Sequence, residues 1–461
     1  MIRGARPRHG RDSGRAPVPA GGPLLPPQLR DRRLALSRDL ATTAHLCSAY
    51  PFTVEAGTGV AGAFLGANRL AGGGFFFDLH DAYADGLLQG PNMVICGAGA
   101  YGKSAIAKTY VYRSTALAPT RFVAVIDPKG EWTALARALG WSALRLRPGG
   151  SLIVNPFDRG PAQHTLADTD LLAQRVTVAT TLFAIALTKA ELAAGEQRLL
   201  HEALRHLTAA TAPAVSPTLT DLQRLLADPP AALATALDTT PADLAERRRP
   251  LLDACAMLVE HDLRGICDTA TSVDLSWTDA PGLVLDLSAL LTRRRTLKLV
   301  LAAAAGWLQG VMYQQTDRRK LVILDEGWIA LEDLAITRFL QDQWRLGRQW
   351  GTANILITHA LADLRSQVDD GAAAGKIAEG LLTTTSARVF LHQNPEQTRR
   401  LLADLGLTST ETNLLRLLDP LQALWKIGSR AAVVDHVVAP WEWAGFAGTD
   451  DAMTAVAPTA Y

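Results

Sequence analysis

The chain has 461 residues, of which 48% are hydrophobic and 20% charged, a balance that allows a sizeable core and excludes a disordered or fibrous protein. Lys+Arg 46 against Asp+Glu 45 leaves a net charge of +1, so no global field draws the chain to nucleic acid or a membrane, and any such contact needs a local patch. Cys47, Cys96, Cys255 and Cys267 lack paired spacing, which argues against a zinc site or a disulfide framework and fits a reducing compartment.

Residues 1–39 are dense in Arg, Pro and Gly without apolar periodicity and read as a disordered basic tail. Between 40 and 160, "PFTVEAG" and "GAFLGANRLAGGGFFFDLHDAY" suggest short strands and hairpins leading into a core, and "NMVIC", "RFVAVID" and "SLIVN" read as buried strands separated by helical segments. Residues 161–275 change to Leu/Ala-rich helical spacing, as in "LTKAELAAGEQRLLHEALRHL", and predict an all-helical insertion. The alternation returns over 276–445 with "GLVLDL", "KLVILDE" and "NILITH", then "ARVFLHQ", "LQALWKIG" and "RAAVVDHVV", read as an antiparallel meander that completes the sheet. Residues 446–461 read as a flexible tail. Near-continuous apolar strands alternating with helices imply an α/β fold, a mostly parallel sheet covered on both faces. The apolar stretches Val176 to Leu187 and Leu299 to Met312 fall short of the roughly 18 residues of a membrane span and read as buried helices. The Arg-rich start lacks the apolar core of a secretory signal.

After the strand "MVIC", Gly97-Ala98-Gly99-Ala100-Tyr101-Gly102-Lys103-Ser104 fits G-x-x-x-x-G-K-[ST] and is followed by a helix-forming run opening at Ala105. Glycines let the backbone curl so that successive N–H groups face one phosphate, and the helix N-terminus adds its dipole. Lys103 then meets the β/γ-phosphates, and Ser104 holds Mg²⁺. The second anchor is "KLVILDE". Asp325 follows a buried strand and can hold the Mg²⁺ water shell, and Glu326 can orient and deprotonate a water. Nucleotide kinases share the phosphate loop but need no water-activating Glu after that aspartate, so the pair favours hydrolysis coupled to motion.

"VAVIDPKGEW", which carries Asp127 and Glu131, "LIVNPFD", "RLGRQWGTANILITHALADL" and the C-terminal "GLLTTTSARVFLHQNPEQTRRLLADLGLTSTETNLLRLL" followed by "LWKIGSRAAVVDHVV" narrow the class. Together with the helical insertion they resemble the HerA/FtsK superfamily of P-loop ATPases, and most closely the TraC/VirB-type ATPases of type IV secretion and conjugative transfer. The resemblance implies a RecA-like P-loop NTPase core that binds ATP and Mg²⁺, in a homo-oligomeric, hexameric ring. It implies a location at the cytoplasmic face of the cell membrane and type IV secretion channel or coupling proteins as partners. DNA could meet local basic patches such as Arg247-Arg248-Arg249 and Arg293-Arg294-Arg295. Lys103, Ser104, Asp325 and Glu326 carry over directly, and Glu131 as a second acidic residue of the site. Arg348 matches the arginine of the "GRxxG" step that reaches a neighbour's γ-phosphate; Arg345 and Arg264 are alternatives, and a surface salt bridge is the other reading of Arg348.

The chain departs from the family in two places. Thr358-His359 stands where Thr-Gln is usual, so His359 can offer one hydrogen bond to the site and would make hydrolysis pH-sensitive, or else is a satisfied core histidine. The phosphate loop also begins early, at Gly97, leaving less chain than the family's N-terminal docking domain takes, as in a motor module whose docking domain is lost or encoded separately. Two other functions remain open: an FtsK/HerA-like double-stranded DNA translocase, and an ATP-binding assembly subunit without turnover.

Overall fold

Strands form at β1 (Ala63–Asn68), β2 (Gly74–Phe77), β3 (Asn92–Cys96), β4 (Phe122–Asp127), β5 (Ser142–Arg145), β6 (Gly282–Asp286), β7 (Lys320–Leu324), β8 (Thr352–Thr358), β9 (Ala387–Phe390), β10 (Gln422–Ile427) and β11 (Arg430–His436). They make one 11-stranded sheet in the order β2-β1-β11-β10-β9-β3-β8-β7-β4-β6-β5. From β9 to β5 all neighbours are parallel, whereas β10, β11, β1 and β2 extend the sheet antiparallel. The structure, a computed structural model, describes residues 59–159, 168–211, 215–273, 281–314, 318–359, 380–382, 385–393 and 405–448. The basic tail 1–39, "PFTVEAG", Cys47, "ALADL" and residues 449–461 lie outside them. All described residues belong to the compact unit Glu55–Tyr461.

The unbroken apolar strands are explained by two buried faces. Val94 and Cys96 of β3 and Phe122, Ala124 and Ile126 of β4 face one layer, while Met93, Ile95, Val123 and Val125 face the other. The first layer is built by the helices Asp168–Ala186, Arg294–Gln314 and Leu334–Leu346, the second by Lys103–Leu117, Thr133–Leu139 and the turn Trp443–Ala447. Between β5 and β6 the described chain is helical, with Asp168–Ala186, Ala194–Ala210, Leu219–Ala227, Ala231–Ala236 and Pro241–Met257. Leu219, Leu222 and Leu226 show the helical spacing of a buried face, and they join the core on that side of the sheet. Among the described residues, no helix is long and apolar enough to cross a membrane.

Four sequence expectations change. The tail does not start at 446, because Phe446 and Ala447 are buried in the core on the Lys103–Leu117 side of the sheet. "SLIVN" is not a strand: its backbone bonds instead to the Ile266–Ser272 loop, with Val154 N donating to Ile266 O at 2.9 Å and Ser272 N to Ile153 O at 3.0 Å. The edge position goes to β5, whose half-exposed alternation carries no strong apolar signal. β9 is parallel to β3 and only its other neighbour, β10, is antiparallel, so the meander starts one strand later; β1 and β2 extend it beyond β11.

The Asn-Pro-Phe-Asp stretch ties the helices to the sheet. Asn155 Nδ2 donates to Pro217 O at 2.9 Å while its Oδ1 accepts from Phe157 N, and buried Arg175 donates to Phe157 O and Thr208 Oγ1, each at 2.9 Å.

Candidate active site

β3 ends at Cys96, and the chain wraps through Gly97 to Gly102 before the helix Lys103–Leu117 begins. The wrap uses left-handed conformations at Ala100 (φ 62°) and Gly102 (φ 90°). At Gly102 the positive φ disfavours a side chain, and a Cβ there would also displace the end of the Leu421 side chain, 2.6 Å away at Cδ2. Lys103, 8% exposed, lies across the loop and donates from Nζ to Ala98 O at 2.9 Å. Burial pulls its pKa below the ordinary lysine value, against the opposing charge of Glu326. Tyr101 turns elsewhere: its ring stacks on His392, with centroids 4.3 Å apart and planes 6° from parallel.

Across the cleft, Asp325 follows the last residue of β7 and is almost fully buried. Its Oδ2 accepts from Trp132 Nε1 at 2.7 Å and its Oδ1 from Glu326 N at 2.8 Å, while burial raises its pKa. Glu326 adopts φ 50°, uncommon for a residue with a side chain. Gly327 follows because a Cβ there would lie 2.2 Å from Leu356 Cδ1. The turn directs the Glu326 carboxylate at three donors: Lys129 Nζ at 2.5 Å, His359 Nε2 at 2.8 Å and Trp328 Nε1. Burial alone would raise this carboxyl, but the bonds from His359, Lys129 and Trp328 hold it at about 2.

Lys129 and Glu131 are presented by the loop after β4. Asp127 does not face the cleft with them. Its carboxylate accepts from the backbone N–H groups of Lys129 (3.1 Å), Gly130 (2.8 Å) and Trp132 (2.8 Å), and so shapes the loop from within. Burial pushes Asp127 up to about 6, even against those bonds.

One cleft is thus lined by Lys103, Ser104, Glu131, Asp325, Glu326 and His359, with Gly99, Ala100, Gly102 and Ala105 on the loop side. The topology explains the convergence: β8 lies between β3 and β7, pairing Cys96 with Thr358 and Leu324 with Leu356, so three strands deliver their C-terminal ends together. Arg348 is not brought there. It sits in the turn Gly347–Trp350 before β8, and the seven residues of β8 separate it by roughly 20 Å from Thr358. With Arg345, Gln341 and Asn92 it lines a separate hollow at the opposite end of the parallel strands. Arg345 is 3.9 Å from Asp342, and Arg264 is exposed after the insertion helices. Lys129, Trp132 and Trp328, which hold the two carboxylates, were not singled out by sequence reasoning; their only signal was proximity in the chain to Asp127, Glu131 and Glu326.

The donors suit Mg²⁺ held together with a phosphate. Ser104 and Asp325 offer hard oxygens, and each Asp325 oxygen accepts one protein hydrogen bond, leaving a lone pair for a water of the ion's shell. Among the described residues no group of three or more His, Cys, Asp or Glu could hold a metal ion by itself.

Neither a protein-family profile nor any curated protein matches the sequence. Solved structures do. VirB4 of Thermoanaerobacter pseudethanolicus superposes with a TM-score of 0.64 at 20% identity, over 84% of this chain and 100% of that one. The plasmid coupling protein TrwB in complex with ADP and Mg²⁺ gives 0.53 at 16% identity, over 81% and 89%. TrwB with the non-hydrolysable ATP analogue ADPNP gives 0.51 at 17%, over 76% and 85%. The chain shares their fold. It is a RecA-like P-loop NTPase fold, with the phosphate loop after β3 and the Asp-Glu pair after β7.

Proposed function

We propose that this protein is an ATP-hydrolysing motor that energises a type IV secretion or conjugative DNA-transfer apparatus. The observation that carries the proposal is the placement of Lys103 and Ser104 opposite Asp325 and Glu326 in one cleft, on the fold of the VirB4 and TrwB structures. TrwB's complexes with ADP and Mg²⁺ and with ADPNP support a nucleotide here. Backbone N–H groups of the loop Gly97 to Ser104 cradle the phosphates, and Lys103 leaves Ala98 O to meet the β/γ-phosphates. Ser104 and Asp325 hold Mg²⁺, which neutralises charge on the phosphate oxygens. Glu326 accepts the proton of the attacking water, and His359 and Glu131 orient the groups beside it. Arg348 acts on a neighbouring subunit in a hexameric ring, since it lies far from its own cleft. The same proposal includes channel or coupling proteins as partners and a position at the cytoplasmic face of the membrane.

The test is phosphate release by the purified protein. Glu326→Gln is expected to lower kcat at least about 100-fold while leaving ADP binding intact. A second reading, an assembly subunit that binds ATP without turnover, is favoured by the three donors that already occupy Glu326. Wild-type protein that assembles with nucleotide but releases no phosphate would establish it. DNA-stimulated hydrolysis that weakens with salt would instead favour a DNA translocase.

A further inference from the structure

The cleft has an outer wall that the phosphate chemistry does not use. Beyond the loop it is lined by Pro420, Leu421, Trp443 and Ala447, all from the C-terminal part of the chain. Trp443 is 48% exposed, although it is flanked by Glu442, at 1%, and followed by buried Phe446 and Ala447. Trp441, two residues earlier, is 57% exposed, but of the two only Trp443 lines the cleft, where a half-open aromatic forgoes burial.

The wall is rigidly held. Arg113, on the helix that starts at Lys103, forks onto Glu442 with bonds of 2.8 and 2.6 Å, and also donates to Phe64 O and Val437 O. Ala439 N caps Glu442 from the other side at 2.7 Å. Leu421 is kept at φ 64°, a conformation costly for a side-chain residue, with its N–H on Tyr101 O and its carbonyl accepting from His436 N. Trp425 Nε1 donates to His436 Nε2, which leaves Nδ1–H of that ring to donate to the same Leu421 carbonyl. These bonds fix an apolar surface against the phosphate loop and leave Trp443 half-exposed at the cleft.

We propose that Trp443 is the stacking platform for the base of the bound nucleotide, with Pro420 and Leu421 as the rest of the base pocket. The inference rests on the phosphate-site reading above and adds a specificity to it. A base held by stacking is recognised through its π-face, which every base has. Of the four wall side chains only the indole carries a hydrogen-bonding group, so the side chains offer no paired donor and acceptor for the edge that distinguishes adenine from guanine. The pocket therefore accepts either purine nucleotide.

Calorimetric titration of the full chain with ADP, GDP and inorganic tripolyphosphate tests this. Wild-type protein is expected to bind ADP and GDP within about fivefold of each other. Trp443→Ala weakens both at least about tenfold and leaves tripolyphosphate binding unchanged, which also shows that the variant is folded; Trp443→Phe stays within about threefold of wild type. Unchanged ADP affinity in Trp443→Ala, or a wild-type preference for one purine above about tenfold, overturns the proposal while the phosphate site stands. Wild-type protein that binds neither ADP nor tripolyphosphate overturns the phosphate site and this inference together.

Discussion

Glu326 occupies a left-handed backbone conformation in which Oε2 accepts from His359 and Trp328 and Oε1 from Lys129, leaving one lone pair, on Oε1. A general base needs a free lone pair directed at its water, so Lys129 restrains the residue in this arrangement. Lys129→Met is expected to raise basal phosphate release severalfold at unchanged KM, read by steady-state kinetics; a fall would mean that Lys129 supports the reaction directly. His80 is a second residue whose state is set by its surroundings. Burial, and then the charge of Arg121, lower its pKa from 6.5 to about 4, and its Nε2 is 3.1 Å from Lys320 O. The unfolded chain takes up this proton near 6.5 and the folded chain only near 4, so the stability that His80 contributes is complete above 6.5 and declines as pH falls toward 4. The loss is on the order of 3 kcal/mol. Urea melts between about pH 7 and pH 4.5 should show that decline, and His80→Gln should reduce it, the remainder including buried His436, whose pKa burial also lowers to about 4.

At the scale of elements, the loop after β4 shows how one buried side chain serves a site it does not enter. Asp127 satisfies three backbone N–H groups, and the loop so shaped sets Lys129 on Glu326 and Trp132 on Asp325. Asp127→Ala is expected to lower stability by about 2–4 kcal/mol, because buried donors lose their acceptor, and to loosen both carboxylates. Thermal unfolding measures the first effect and the Glu326-dependent rate the second; a variant with wild-type melting would refute the role. "VAVIDPKGEW" was legible as a strand followed by a site loop, since its apolar run and turn residues are local signals. That Asp127 points inward and Lys129 outward was not, because residues in a turn have no fixed period. β5 was missed and "SLIVN" misassigned for a related reason: apolar content reports burial, not pairing, and buried chain can bond to a loop as well as to a strand.

For the whole molecule, the parallel sheet puts the phosphate loop, the Asp-Glu turn and Thr358-His359 at one end and Arg348 at the other. In the proposed ring each site needs one subunit's Glu326 and its neighbour's Arg348. Arg348→Ala and Glu326→Gln should each abolish hydrolysis, and an equal mixture should recover about a quarter of the wild-type rate, because random assembly restores that share of complete sites. Phosphate release from the mixture decides it; no recovery would exclude a shared site.

The sequence by itself determined the phosphate loop, the carboxylate pair after a buried strand and the alternation of strands with helices. Each is written in contiguous residues, where spacing dictates backbone curl or a buried face. Only the tertiary structure decided that β8 separates β3 from β7, that Lys129 and His359 close on Glu326, and that Trp443 stands over a loop far away in the chain. Those contacts arise from strand order and from the antiparallel return of β10 and β11, and such non-local pairing leaves no periodic trace in the sequence.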